Sequence, residues 1–431
     1  MTPQQDEHRR LIERDRAHLW HPFTQHGGEA DPLAVDSARG SLLVLDDGRE
    51  LIDAISSWWA CLHGHSHPRI VAAMTEQVGK LDHVLFAGAT HAPAVELGER
   101  LIERAPAGLS RVFFSDDGST AVEVALKMVI QSWLQRGEKT RRVFVALEGG
   151  YHGDTFGAMA VGDPEPYFRA FEPFLFEVRR VAPTGEALRQ AVAELGERAA
   201  GVVLEPLVQG AGGMRMQAPA FLGEVRALCD DAGLPWIADE VMTGFGRTGA
   251  LFACDRAGVA PDLLCLAKGL TGGAFPLSVT LATERIFEAF LSPNRLRAFF
   301  HGHTFTANPV GCAVALASLA ICDEEHTPER LDAIGRRIED ALVTSLAGHD
   351  GIHDLRRTGG IVAFDLAPPP GEEAGYASSL APRLRAMAVE RGVLLRPLGN
   401  VLYAMPPAST SDAECDRIAE VMAELALAEL P

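Results

Sequence analysis

A lysine that closes an apolar segment is the sharpest chemical feature of the sequence. Asp262–Ala267 is apolar on consecutive positions, as in a strand covered on both faces, and Lys268 and Gly269 follow it directly. Removal from water lowers the affinity of a lysine amine for protons and makes the amine a usable nucleophile. The commoner alternative is a lysine that extends from a strand end into solvent. Lys268 is therefore a candidate nucleophile at this stage.

Two more segments bring charge or hydrogen-bond donors to a strand end. Pro235–Asp239 is a candidate strand that ends in an acid, and ligands bind beyond the carboxyl ends of parallel strands. Asp239 could pair there with a cationic nitrogen, or it could be a solvated acid. Gly118 and Ser119 stand between a candidate strand and a candidate helix, where unpaired backbone N–H groups can bind an anion. The alternative for this pair is a helix cap and nothing more.

Three other patterns make weaker cases. His63, His65 and His67 alternate in the sequence, but no nearby cysteine or carboxylate has standard metal-ligand spacing. We therefore favour a polar turn at these histidines and expect no metal. Gly244–Gly249 matches G-x-G-x-x-G, but no helix opens at these glycines, which argues against a dinucleotide site. Tyr151–Asp154 follows a candidate strand and is either a surface turn or a pocket wall.

Short apolar runs alternate with helical patterns between about residues 70 and 315, and these elements must position the candidate groups. The candidate strands are Arg111–Ser115, Arg142–Leu147, Gly201–Leu207, Pro235–Asp239, Asp262–Ala267 and Ser278–Ala282. The candidate helices are Thr120–Leu134, Ala220–Ala232 and Pro309–Asp323. This alternation predicts an α/β fold with a mostly parallel central sheet.

The two ends of the chain have a different pattern. A hairpin is predicted from Leu42–Val44 to Leu51–Asp53, with its turn at Asp46-Asp47-Gly48. The tail mixes helix and strand candidates: Glu329–Leu346, Gly360–Leu366, Tyr376–Arg391, Val393–Pro397, Val401–Met405 and Ser411–Glu429. We expect a large domain over residues 66–315 and a smaller α+β domain over residues 316–431. The N-terminal segment, residues 1–65, is expected to pack with the smaller domain.

Composition narrows the range of partners. The 431 residues include 39 Lys and Arg against 58 Asp and Glu, a formal net charge of −19, which argues against nucleic acid and anionic membranes. The seven cysteines are scattered and fit reduced thiols in the cytoplasm. The first twenty residues lack the apolar core of a signal peptide. The longest mostly apolar run, Val310–Cys322, is too short to span a bilayer.

Six motifs, in this order, resemble those of the class III aminotransferases, which are pyridoxal-phosphate enzymes of fold type I. They are Ser115–Ser119, Tyr151–Asp154, Glu205-Pro206, Asp239–Val241, Gly244–Gly249 and Ala267–Gly269. The resemblance covers essentially the whole chain. It implies pyridoxal 5'-phosphate as cofactor, transamination of small-molecule substrates, and a homodimer with active sites at the interface.

The resemblance also implies roles for individual residues around the cofactor. Lys268 would hold the cofactor covalently and later move a proton of the substrate. Asp239 would pair with the ring nitrogen and keep it protonated, while Tyr151 and Val241 would lie against the two ring faces. Further cofactor contacts are expected from Gly118, Ser119 and His303, and from Thr304 of the partner subunit.

Additional motifs narrow the activity that the resemblance implies: His18–Thr24, Ser56–Trp59, Gln209–Met214, His301–Phe305 and Arg396-Pro397. They are similar to members that convert 8-amino-7-oxononanoate to 7,8-diaminononanoate in biotin biosynthesis, with S-adenosyl-L-methionine as amino donor. Arg396 would meet the carboxylate of the keto acid, since a guanidinium suits that planar anion. The implied substrate contacts are Phe23, Trp58, Trp59, Tyr151, Arg247, Lys268, Gly302 and Arg396.

Phe23 leaves the amino donor open. Many relatives have a tyrosine here, and its hydroxyl is expected to contact both substrates. Some relatives that use lysine as donor also have phenylalanine, whereas the pair Trp58-Trp59 favours S-adenosyl-L-methionine. Two other hypotheses are another class III ω-amino acid transaminase and a catalytically silent scaffold that acts as a binding module. The presence of both Lys268 and Asp239 argues against the silent scaffold.

Overall fold

Strands and helices alternate through the middle of the chain in the computed structural model, which describes residues 3–28, 31–165, 167–349, 351–369 and 371–429. The strands are β1 (Val35–Arg39), β2 (Leu42–Leu45), β3 (Glu50–Asp53), β4 (Leu109–Ser115), β5 (Val143–Leu147), β6 (Val178–Val181), β7 (Ala199–Leu204), β8 (Val208–Gln209), β9 (Arg215–Met216), β10 (Trp236–Asp239), β11 (Leu263–Leu266), β12 (Ser278–Thr283), β13 (Ile352–Thr358), β14 (Ile361–Leu366), β15 (Val393–Leu394) and β16 (Val401–Ala404). The helices are α1 (Pro3–His18), α2 (Pro68–Lys80), α3 (Ala92–Arg104), α4 (Gly118–Gln135), α5 (Phe156–Val161), α6 (Gly185–Leu195), α7 (Pro219–Ala232), α8 (Glu284–Phe287), α9 (Pro309–Glu324), α10 (Thr327–Ser345), α11 (Leu380–Glu390) and α12 (Asp412–Ala428).

A seven-stranded sheet forms the centre of the protein, in the order β4–β12–β11–β10–β7–β5–β6. Strands β11, β10, β7, β5 and β6 are parallel to one another, and β12 runs antiparallel between β11 and β4. Strands β5, β7, β10 and β11 are buried at every position, which explains their continuous apolar sequences. The predicted α/β fold with a mostly parallel sheet is confirmed.

The two ends of the chain meet in a second sheet. Strands β2 and β3 form the predicted antiparallel hairpin, and β15 from the tail pairs in parallel with β3, with Leu394 opposite Asp53. Strands β13, β14 and β16 form a separate antiparallel sheet. The N-terminal segment therefore contacts the tail through β3 and β15, while the division into residues 1–65, 66–315 and 316–431 stays a prediction. Helix α9 runs across the boundary at residue 315.

Several predicted elements differ from the structure at their ends. Strand β7 stops at Leu204, short of the predicted Leu207, because Pro206 has no N–H to donate to a sheet. The helix expected from Tyr376 begins only at Leu380, since Glu372 accepts hydrogen bonds from Ser379 and holds the preceding residues in a turn.

Helices α2 and α3 were not among the predicted elements. His67 and His91 accept a backbone N–H at their N-termini, and histidine is not a usual capping residue, so the start signal is weak. The most apolar of the longer helices, α9, has 16 residues, and within the described ranges no helix combines the length and apolarity needed to cross a membrane.

Two helix-interior glycines are expected to respond oppositely to alanine. A Cβ at Gly335, in α10, would collide with the backbone oxygen of Gly359, whereas a Cβ at Gly223, in α7, would meet open space. We predict that Gly335→Ala lowers the free energy of unfolding by about 1–3 kcal/mol through overpacking. Gly223→Ala is the matched control and should raise stability by about 0.5–1 kcal/mol. Urea unfolding measures both, and equal effects would contradict the close contact at Gly335.

Candidate active site

Four neighbouring strands deliver polar side chains to one edge of the central sheet. Lys268 lies just beyond β11, Asp239 ends β10, Glu205 follows β7, and Tyr151 follows β5. Because these strands are parallel, their carboxyl ends meet at the same edge, where ligands bind in open α/β sheets. All four residues line one cavity of about 680 Å³, a volume typical of small-molecule sites.

Lys268 projects its amine into this cavity from a strained backbone. Its φ is 43°, a left-handed conformation that is uncommon outside glycine, and it opens the short 3₁₀ turn Lys268–Thr271. Removal of the amine from water lowers the pKa of Lys268 below its ordinary value, and the attraction of Asp239 and Glu205 opposes this shift only in part. The larger neutral fraction that results is what a lysine nucleophile requires.

Asp239 is held by a buried histidine. Its Oδ2 lies 2.7 Å from Nδ1 of His152, and its Oδ1 accepts the N–H of Val241 at 3.1 Å. Burial alone would lower the pKa of His152, but the hydrogen bond and charge of Asp239 outweigh burial and raise it. A protonated His152 would donate a charge-assisted hydrogen bond to Asp239. His152 was not among the predicted site residues; its position directly after Tyr151, beyond a strand end, was the available signal.

Glu205 supplies a second buried carboxylate beside the first. Burial raises its pKa to about 7; His152 opposes this shift and the charge of Asp239 adds to it. Its two oxygens accept the N–H groups of Tyr151 at 3.0 Å and Gly210 at 2.8 Å. Glu205 therefore fixes the backbone from which Tyr151 reaches the cavity. The sequence motif contained Glu205, but this bracing role could not be read from the sequence.

The first turn of α4 forms the anion-binding end of the cavity. Gly118 and Ser119 begin the helix, where backbone N–H groups have no acceptor within the helix itself. A Cβ at Gly118 would lie 2.5 Å from the side chain of Val241, so this position requires glycine for close packing. Asp117 caps the helix through Thr120, which leaves the turn at Gly118 and Ser119 facing the cavity.

A left-handed turn carries the paired tryptophans. Ser56, Ser57, Trp58 and Trp59 have φ of 50°, 43°, 69° and 73°, and none of them is glycine. Each residue in this conformation costs about 1–2 kcal/mol, so surrounding contacts must compensate. The turn places the ring centroid of Trp59 5.1 Å from the amine of Lys268. The indole N–H of Trp59 donates a hydrogen bond to the hydroxyl oxygen of Tyr403.

A second cavity of about 340 Å³ adjoins the first and shares Trp59, Tyr151 and Lys268 with it. Its walls are aromatic and it contains one guanidinium: Arg396 lies with its Cζ 4.3 Å from the ring centroid of Trp58. The other lining residues with rings are Phe23, Tyr167 and Tyr376. Neither Tyr167 nor Tyr376 was predicted to line the site, because neither stands in a recognisable motif.

Arg247 lies apart from the two cavities, so its predicted contact with substrate stays a prediction. Its side chain is 1% exposed and lines neither of these two cavities, although a contact with substrate was expected. The guanidinium donates to the carbonyl oxygens of Pro406 at 3.0 Å, Cys61 at 3.2 Å and Trp59 at 3.4 Å. Arg247 therefore ties the tryptophan turn to the tail.

The loop with Gly302, His303 and Thr304 lies outside both cavities of its own chain. His303 contacts Asp116 at 3.3 Å, and Asp116 lines the larger cavity, so the loop is next to the site without entering it. The contacts expected from this loop therefore stay predictions that require a second chain.

The alternating histidines have three separate partners. His63 contacts Ser318 at 3.0 Å, His65 contacts Asp53 at 2.8 Å, and His67 caps α2. Nowhere in the described part of the chain do three or more histidine, cysteine or acidic side chains form a group that could hold a metal.

Comparisons with known proteins define the family. A sequence model of the class III aminotransferases matches residues 24–426, and the protein belongs to this family of pyridoxal-phosphate-dependent aminotransferases. It is 49% identical, over 95% of this chain and 98% of the relative, to an adenosylmethionine-8-amino-7-oxononanoate aminotransferase of Synechococcus elongatus.

Solved structures agree with this assignment. The crystal structure of the enzyme of the same name from Methanocaldococcus jannaschii has a TM-score of 0.93 and 33% identity, with 98% of this chain and 99% of that chain covered. An omega transaminase from Pseudomonas jessenii in complex with PMP has a TM-score of 0.90 and 29% identity, with 96% and 97% covered.

The cavity fits pyridoxal phosphate on its own chemistry. It joins an amine, a carboxylate hydrogen-bonded to a buried imidazole, and a helix N-terminus where the side chain of Val241 leaves no room for a Cβ at position 118. When bound, this cofactor supplies an electron sink that stabilises negative charge at the substrate carbon. Lys268 would hold the cofactor covalently, and Asp239 would pair with its ring nitrogen. Gly118 and Ser119 would bind its phosphate.

We predict that Lys268→Ala abolishes turnover but still binds the cofactor. The variant keeps the N-terminus of α4 and Asp239, so the phosphate and ring contacts remain, while both the nucleophile and the proton carrier are lost. Equilibrium dialysis measures cofactor binding and a coupled assay measures amino transfer. Activity within about tenfold of the wild type would contradict the assignment of Lys268, since general acid–base catalysis alone contributes about 10²–10⁴-fold.

We predict that Asp239→Asn loses most of the rate while Glu240→Gln retains most of it. Asp239 lines the cavity, whereas Glu240 accepts the N–H groups of Ala253 and Cys254 and belongs to the core. An amide at position 239 cannot keep a ring nitrogen protonated. Glu240→Gln should instead lower the melting temperature. The reverse order of catalytic loss would show that Glu240 is the cofactor's carboxylate.

Proposed function

We propose that the protein transfers an amino group to 8-amino-7-oxononanoate and forms 7,8-diaminononanoate in biotin biosynthesis, with S-adenosyl-L-methionine as donor. The observation that carries the proposal is the position of Arg396 in the second cavity, which Lys268 also lines. Because Phe23, Trp58, Trp59, Tyr151, Tyr167 and Tyr376 form its walls, we call this cavity the aromatic channel. A keto acid with a long apolar chain needs a guanidinium for its carboxylate and apolar walls along its length. The relatives that bear the name of this enzyme support the same substrate pair.

The residues of this chain divide the work of the reaction. Arg396 binds the substrate carboxylate, and Trp58 and Phe23 exclude water from the channel. Lys268 carries the proton that must leave and re-enter at the substrate carbon. The hydroxyl of Tyr151 donates to Oδ1 of Asp154 at 3.0 Å, which holds its ring in the wall between the two cavities.

Aromatic surfaces favour the sulfonium donor over lysine. Phe23 lies edge-on to Trp58 with ring centroids 5.5 Å apart, so two rings face the channel at an angle. Cation–π and stacking contacts with a sulfonium and an adenine contribute about 0.5–2 kcal/mol each. A lysine donor gains less from such walls, and it remains the second candidate because Phe23 offers no hydroxyl.

A homodimer in the cytoplasm completes the proposal. The loop with Gly302, His303 and Thr304 lies outside the cavities of its own chain. Apolar side chains next to it in the sequence are exposed, among them Leu296, Phe300 and Phe305. Exposed apolar patches of this kind mark protein interfaces, and a second copy would bring Thr304 of the partner subunit to the cofactor phosphate. All seven cysteines are free thiols, which fits a reducing compartment.

The donor is tested in a half-reaction. Purified holoenzyme is mixed separately with S-adenosyl-L-methionine and with lysine at equal concentration, and the loss of the cofactor's visible absorbance is followed. We expect S-adenosyl-L-methionine to react faster, because the channel is aromatic. A faster reaction with lysine would show that lysine is the donor. If the enzyme that has accepted an amino group does not react with 8-amino-7-oxononanoate, the proposed acceptor is excluded.

Phe23→Tyr serves as the matched variant in the same assay. It keeps the ring against Trp58 and adds one hydroxyl, so binding of one or both substrates should tighten by a few-fold, as for one net hydrogen bond of about 0.5–1.5 kcal/mol. The rate of the chemical step should not change. Weaker binding of both substrates by this variant would show that the channel has no acceptor or water for the added hydroxyl.

A further inference from the structure

The left-handed turn at Ser56–Trp59 needs an explanation beyond its own backbone. A run of non-glycine residues in this conformation persists only where surrounding structure over-determines it. Ser56 contributes one tether, because its hydroxyl donates to the carbonyl oxygen of Met405 at 2.7 Å. Besides the bonds of Trp59 with Arg247 and Tyr403, further tethers converge on one carboxylate, that of Asp53.

Asp53 lies beneath the turn with a fully buried side chain. Its Oδ1 accepts the N–H groups of Ile55 at 3.3 Å and Ser57 at 3.0 Å. Its Oδ2 accepts the hydroxyl of Ser57 at 2.7 Å and faces Nε2 of His65 at 2.8 Å. Both oxygens are therefore engaged, and Asp53 bonds the turn on one side and His65 on the other.

His65 is itself fixed in place. Its backbone forms an isolated antiparallel bridge with Gly40, and its Nδ1 lies 3.6 Å from Sγ of Cys61. Burial would lower the pKa of His65, but Asp53 and Cys61 raise it to about 10, and the hydrogen bond from His65 contributes to the lowered pKa of Asp53. The two side chains thus form an ion pair near neutral pH.

Neither Asp53 nor His65 lines the cofactor cavity or the aromatic channel. The turn between them does: Trp58 lies against Arg396, and Trp59 faces the amine of Lys268. We propose that the Asp53–His65 pair is a positioning device that holds the left-handed turn, and so sets how both tryptophans meet the substrates. The inference rests on the proposed function only for the identity of those substrates.

The test compares two histidines that flank Ser66. His65→Ala removes the donor to Asp53, His65→Gln restores an uncharged donor, and His67→Ala is the control, because His67 caps α2 and does not touch the turn. We expect His65→Ala to raise KM for both substrates about tenfold, as for one lost charge-assisted hydrogen bond, with kcat changed less than about threefold. His65→Gln should recover most of the loss, and His67→Ala should leave KM unchanged.

A substrate-free measurement separates this inference from the proposed reaction. Near-ultraviolet circular dichroism of the holoenzyme reports the indole environments, and it should change in His65→Ala but not in His67→Ala. The result stands even if the wild type does not aminate 8-amino-7-oxononanoate. If His65→Ala folds poorly, Ser57→Ala should give a smaller change of the same kind, because it deletes the hydroxyl that bonds Asp53 and lies 3.4 Å from Nε2 of His65.

Three outcomes would overturn the proposal. One is an unchanged KM and an unchanged spectrum in His65→Ala. Another is an equal loss in His67→Ala, which would indicate a general effect of this loop. The last is a fall in kcat and bound cofactor together with a lower melting temperature and no change in KM, which would indicate structural support alone.

Discussion

Ionisable side chains at the carboxyl edge of the central sheet must be compensated by their neighbours, because an isolated buried charge is very costly. Asp239 is matched by the imidazole of His152, and Glu205 by two backbone N–H groups. The amine of Lys268 stands between these carboxylates and a tryptophan ring. The parallel strand order brings these groups together, so the chemistry of the site depends on the direction in which each strand enters the sheet.

Buried polar groups are also compensated beside the aromatic channel, at the tryptophan turn. Asp53 offsets backbone strain rather than a cofactor charge, and Arg247 satisfies three carbonyl oxygens where the tryptophan turn meets the tail. The two halves of the site are therefore stabilised differently. The cofactor half rests on sheet geometry, whereas the substrate half rests on a few buried polar side chains and a strained turn.

Sequence patterns predicted the strands and the residues at strand ends, because these features depend on residues that are adjacent in the chain. Apolar runs located β10 and β11, and with them Asp239 and Lys268, because strand ends are visible as a change from apolar to polar residues. The contact of His152 with Asp239 spans 87 positions, and the contact of Trp59 with Tyr403 spans 344. Such pairings follow from tertiary packing. The motif of Arg247 likewise does not reveal that its guanidinium donates to carbonyl oxygens in the core.

The pairing of β3 with β15 joins the first fifty-odd residues to the last forty, and this has a consequence for synthesis. The groups suited to hold pyridoxal phosphate, from Gly118 to Lys268, leave the ribosome well before Arg396 does. A nascent chain thus exposes the groups of its reactive half while β15, the partner of the strand that bears Asp53, is still missing. Selectivity is then the last property that the enzyme acquires as it is made.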